Sequence, residues 1–148
     1  MKPPPPRRVG AHEWAALREA APSFAPRWEA FRASERFAPT REYTHLAQLA
    51  EHVLDKLASG DESEFPALFA AFDQLYRQAD NGLEQVLRIG LIEDLLVQAQ
   101  RRGLDAWLLT RHMGLPGRDA WAEAYVWLRI SRWPDASYRH ADPPSRMN

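Results

Sequence analysis

The stretch from Leu83 to Arg102, LEQVLRIGLIEDLLVQAQRR, constrains this chain more than any other. As one α-helix its roughly 20 residues span about 30 Å. Val86, Leu87, Ile89, Leu91, Ile92, Leu95, Leu96 and Val97 surround its middle, whereas a surface helix carries a single apolar stripe. Such a helix has to be covered on several sides by other elements. Glu93 and Asp94 stand side by side at its centre, and a carboxylate withdrawn from water keeps its charge only when paired or hydrogen-bonded. Adjacent helical positions point about 100° apart, so the two are not aimed at one reacting atom. The expected arrangement has one carboxylate at the solvent edge and the other accepting bonds from an arginine or from free N–H groups of a neighbouring helix.

The rest of the chain supplies the covering elements. At 148 residues it fits one domain with a real core. Residues 1–10, with Pro3 to Pro6, read as an extended tail; residues 11–133 form the helical domain, and 134–148 read as a flexible tail. Within the domain, Trp14, Leu17 and Ala21 recur at helical spacing before Pro22, and a second short helix with Trp28 and Phe31 follows Pro26. Leu46, Leu49, Ala50, Val53, Leu54 and Leu57 mark an amphipathic helix ending near Gly60. Ser63 is the expected N-cap of the next helix, with Pro66 in its first turn and Phe65, Leu68, Phe69, Phe72, Leu75 and Tyr76 on its core side. Asn81 opens the long helix, with Glu84 completing a capping box. Gly103, with Leu104 behind it, closes that helix, and Gly90 in its interior marks a close approach of another helix. Asp105 caps a short helix ended by Gly114; Pro116 and Gly117 break the chain again before a last helix over 118–132. Trp121, Tyr125 and Leu128 take one side of that helix, and Val126, Trp127, Ile130 and Trp133 another, more apolar circumference than one contact needs. No period-2 run appears, so the expected fold is all-α: a single-domain bundle of about six helices packed around the helix at 82–102.

Charge is segregated along the chain. Residues 1–42 carry eight Lys/Arg and five Asp/Glu, residues 43–100 three and ten, and residues 101–148 eight and five, for local balances of +3, −7 and +3. An acidic middle argues against a nucleic-acid surface, which needs clustered Lys/Arg, and suits a basic protein partner. Asp61, Glu62, Glu64, Asp73, Asp80 and Glu84 are the candidate acidic contacts, with Trp127 and Trp133 as aromatic anchors. Gly90, Glu93, Asp94 and Gly103 are read as structural.

Chemistry-bearing motifs are scarce. The chain has no cysteine, hence no disulfide, thiolate nucleophile or cysteine zinc site, a composition suited to a reducing cytoplasm. No serine sits in a G-x-S-x-G setting and no phosphate-binding glycine loop occurs. His45 and His52 with Asp55 are the only approach to a metal set, and two histidines with one carboxylate arise readily by chance. Neither a cofactor, a resident metal nor a membrane-spanning segment is expected.

The order APSFAPRW at 21–28, SEFPALFAAFDQL at 63–75, GLIEDLL at 90–96 and RRGLD at 101–105 resembles an uncharacterised family of small helical bacterial proteins. Gly90, Glu93, Asp94 and Gly103 match its shared pattern, without a catalytic role. Small proteins of this type look like the immunity partners of bacterial polymorphic toxins. The resemblance thus implies a non-catalytic protein that neutralises a toxin by binding it; the cysteine-free composition suits the cytoplasm as its place, and the acidic middle suits a toxin with a basic surface. A general protein–protein adaptor is the alternative, and a metal-dependent enzyme using His45, His52 or the Glu93/Asp94 pair the third. The toxin, the binding face and the oligomeric state are not readable from the sequence.

Overall fold

In the computed structural model of the protein, residues 9–131 are described. Most of the expected N-terminal tail, all of the expected C-terminal tail and Trp133 lie outside the described residues. The described chain is helical, with no strand among its residues.

Helix α1 (Ala11–Ala20) leads through a 3-10 turn at Pro22–Phe24 into α2 (Ala25–Arg32). The second helix starts one residue before Pro26, not after it, because a proline in the first turn lacks only an N–H that has no helical acceptor there. Trp14 and Trp28 meet edge to face at 5.0 Å between ring centroids, a geometry that contributes about 1 kcal/mol beyond area burial. Phe37 stacks on His45 at 5.2 Å, and His45 Nε2 bonds the Ala38 carbonyl at 3.0 Å, closing the connection into α3 (Glu42–Ser59).

Helices α3 and α6 (Asp94–Arg102) end alike. Gly60 and Gly103 adopt φ of +79° and +67°, where a side chain is strained. Asp61 and Leu104 donate back five positions to Lys56 and Ala99, and the glycines donate to Leu57 and Gln100, the paired bonds of a Schellman closure.

Helix α4 (Phe65–Gln78) is not capped by Ser63. Asp61, two residues earlier, accepts both the Ser63 N–H (3.2 Å) and its hydroxyl (2.7 Å), so the local Asx turn takes the group expected to cap the helix. The apolar residues expected on its core side, Phe65, Leu68, Phe69, Phe72, Leu75 and Tyr76, are all buried.

The long helix is capped by Asp80 rather than Asn81. The Asp80 carboxylate accepts from Leu83 N–H at 2.9 Å, which places Leu83, not Glu84, at the capping-box position; Glu84 turns to the Tyr76 hydroxyl (3.3 Å). Nor is the helix α throughout. Between α5 (Asn81–Leu87) and α6 it widens to a π segment at Arg88–Glu93, where bonding to the fifth residue displaces the downstream face by about one position. The segment contacts α3 and the last helix, α7 (Leu115–Ser131). Gly90 lies against α3: a Cβ there would stand 2.5 Å from Leu46 Cδ1 and 3.2 Å from Tyr43 Cδ1. Of the apolar residues around the helix's middle, all but Ile89 are buried.

Asp105 accepts from Trp107 N–H at 3.1 Å and starts a 3-10 helix at Ala106–His112. Helix α7 (Leu115–Ser131) begins three residues earlier than expected, with Pro116 and Gly117 inside its first turn instead of breaking the chain. The cause is Asp73. From the buried side of α4 its carboxylate accepts Gly114 N–H at 2.6 Å and Gly117 N–H at 2.7 Å, satisfying donors that a helix start leaves free and placing negative charge at its positive end. The fit leaves no room for side chains, since a Cβ on Gly117 would stand 2.6 Å from Asp73 Oδ1 and one on Gly114 2.9 Å from Oδ2.

Removing the carboxylate in Asp73→Ala is expected to cost about 2 kcal/mol, because the buried Gly117 N–H and the part-buried Gly114 N–H lose a charged acceptor. Gly117→Ala is expected to destabilise the protein even though alanine gains up to about 1 kcal/mol in helix propensity, and to cost less in the Asp73→Ala background, where only Met113 Cβ, at 3.0 Å, and Cγ, at 3.1 Å, still crowd the new methyl group. Urea titrations of the two single variants and the double variant measure this coupling.

Candidate functional site

Four large apolar side chains are exposed among the described residues, and three of them gather on one face. Trp127 (58% exposed) and Val126 (53%) on α7 look across a groove of about 780 Å³ at Gln85, Arg88, Ile89 and Glu93 of α5 and the π segment. Tyr43 (47%) on α3 borders a second hollow of about 260 Å³, which shares Ile89 and Glu93 with the first. The π segment is therefore a ridge between two depressions, with Ile89 and Glu93 on its crest. Monomeric proteins seldom leave apolar side chains this large grouped in the open without using them.

The face has an acidic rim. Glu93, Asp94 and Glu123 stand on it with Arg88 and Arg101. Arg88 is already held by Glu123 at 2.9 Å and Glu84 at 3.7 Å. Burial opposes its charge, but the bond it donates to Tyr76 and the charges of Tyr76, Glu123 and Glu84 outweigh burial and raise its pKa. Glu93 and Asp94 are both partly exposed, and Asp94 accepts from the Gln98 amide at 2.6 Å. The central carboxylates are thus not withdrawn from water, which removes the conflict that their place in the sequence poses.

The other acids expected to meet a partner are used inside the chain, and none lines the large groove. Asp61 holds Ser63 and pairs with Lys56 at 3.4 Å. Glu62 pairs with Arg111 and, at 2.8 Å, with His112; bonds from Arg111 and then His112 hold its carboxyl below the usual range. Glu64 accepts the Ser23 N–H at 3.1 Å and hydroxyl at 2.6 Å. Asp73 is buried at the start of α7, Asp80 caps α5, and Glu84 bonds Tyr76. Of the expected contacts, Trp127 alone lies on the open face; Trp133 is beyond the described residues. Tyr43, Ile89, Glu123 and Val126 are additions. The one sequence signal for them is the surplus apolar circumference of the last helix.

His45 and His52 do not share a site. His45 is tied to Ala38, and His52 Nε2 lies 2.8 Å from Ser23 Oγ. Ser23 gives its only hydroxyl proton to Glu64, so its oxygen accepts from His52 Nε2–H, and the imidazole is not placed to take a proton from that serine. The hollow beside this cluster is about 10 Å³, room for no more than a single water. The cluster ties the Pro22–Phe24 turn to α3 and to the start of α4. No group of three or more His, Cys, Asp or Glu suited to a metal ion occurs among the described residues, and no described helix is long and apolar enough to cross a membrane.

Burial lowers the pKa of both histidines; at His45 the Ala38 bond opposes it in part, and at His52 Arg27 and Lys56 add to it. The folded state then binds these protons less readily than the unfolded chain, so the stability from neutral histidines is present above their ordinary pKa of about 6.5 and is lost as pH falls through the depressed values. Urea midpoints should decline between about pH 7 and pH 5, and His52→Gln should flatten part of that decline.

No curated protein and no solved structure matches the chain. A family of domains defined so far only as a domain of unknown function, DUF7674, matches residues 14–127, from the tryptophan that anchors α1 to the one that opens the groove. With most of its length so covered, the chain belongs to the DUF7674 family.

Proposed function

We propose that this protein acts without catalysis, as an immunity protein that binds and neutralises a cognate toxin in a bacterial cytoplasm. The observation that carries the binding part is the grouping of Tyr43, Val126 and Trp127 around the Ile89–Glu93 ridge. Exposed aromatics in a concave, acid-rimmed setting are the side chains that dominate protein–protein affinity once desolvated. The motif order resembles that of an uncharacterised family of small helical bacterial proteins, a type that looks like immunity partners, which favours a toxin as the target, and the acidic middle of the chain favours a basic one through electrostatic steering. In this proposal the helix at 81–102 is the axis of the bundle, its buried arc holding the fold and its open arc forming the ridge. A general adaptor would use the same face.

Co-expression with the toxic product of a gene adjacent to its own provides the test. Wild type should form a complex and restore growth. Trp127→Ser, at an exposed position, should shift stability by no more than about 0.5 kcal/mol and yet lose both complex and rescue. A complex with a harmless neighbour would favour the adaptor, and rescue that survives in Trp127→Ser would remove this face from the mechanism.

A further inference from the structure

We infer that the groove between the α5–π wall and α7 receives an amphipathic helix of the partner, with an apolar stripe on the floor and Lys or Arg toward the rim. The inference rests on the protein-binding proposal and specifies its partner. Two observations carry it. First, the groove walls are themselves helical and present their residues one turn apart. On α7, Ala122 is followed by Val126 and Glu123 by Trp127; on the facing wall, Ile89 is followed by Glu93. Rows at this spacing form the ridges and grooves into which a third helix packs, whereas an extended strand repeats at a different pitch and needs a free sheet edge, of which there is none among the described residues. Second, the floor is apolar and the rim is acidic in sum. Glu93 and Glu123 line it against the single cation Arg88, and Arg88 already serves Glu123 and, from outside the groove, Glu84. An apolar segment flanked by cations meets both features, and one flanked by carboxylates would meet repulsion.

The test uses the whole protein and a fluorescein-labelled peptide of about 18 residues, five helical turns, built from Leu, Ala and Lys with its leucines on one face. Its counterpart carries Glu at every Lys position. Fluorescence anisotropy should show binding of the Lys peptide, weakened about tenfold or more by Trp127→Ser, weakened by Glu93→Lys, and falling steeply between about 0.1 M and about 1 M salt. The Glu peptide should not bind. Equal binding of both peptides, binding by neither, or binding indifferent to Trp127→Ser overturns the inference. So does a concentration-dependent dimer in sedimentation that Trp127→Ser abolishes, since the face would then belong to a second copy. If growth rescue depends on Trp127 while the Lys peptide fails to bind, the helix inference falls and the protein-binding proposal stands; if rescue is indifferent to Trp127, both fall.

Discussion

The position of α7 depends on one carboxylate. Asp73 reaches from the buried side of α4 to two N–H groups at the start of α7, of which that of Gly117 is buried. A neutral acceptor would satisfy the same donors less strongly, and a longer side chain would push the helix outward. Gly114 and Gly117 follow from this contact, because any Cβ at either place would strike the carboxylate. The local cost of glycine in a helical turn is thereby offset by a charged bond that no larger residue would permit. Whatever fixes α7 also fixes the groove, since Ala122, Val126 and Trp127 are one to three turns further along the same rigid element.

The opposite wall depends on a second close contact. Gly90 lets α3 approach the long helix until Leu46 and Tyr43 nearly touch its backbone. The surrounding turns bond in π fashion, and the extra residue moves Ile89 and Glu93 onto the side left open between α3 and α7. A regular helix with alanine at this place would gain in local propensity and lose the close seat of α3. A departure from the best local geometry and a partly exposed apolar crest thus occur together, an association common where helices carry function.

Much of the fold was legible because it rests on periodicity and caps. The amphipathic pattern of α3, the aromatic side of α4 and the glycine closures at Gly60 and Gly103 are local properties of the chain. The errors share a cause: a residue outside the local window took the group in question. Asp61 captured Ser63, Asp80 displaced Asn81 as cap, and Asp73, more than 40 residues away, turned Pro116 and Gly117 from a break into a helix start. The candidate site was legible only in outline. Trp127 was singled out for excess apolar surface, but Tyr43 is more than 80 residues from it, and nothing in the sequence says that two depressions meet at Ile89.

The acidic middle of the chain therefore has two separate uses. Asp61, Glu62, Glu64, Asp73 and Asp80 join the starts of helices to one another or to the loops before them, and their charge is largely met by donors within the chain. Such groups add to the long-range field of the molecule, yet they cannot turn to a partner without giving up bonds that hold the fold. The carboxylates at the groove rim differ in standing on an exposed face beside apolar side chains that the core does not use. Desolvating that face on binding exposes no core and breaks no cap. Affinity and stability are for this reason separable: changes at Trp127 or Val126 alter what the face can hold, and changes at Asp73 or Gly117 alter whether the face exists.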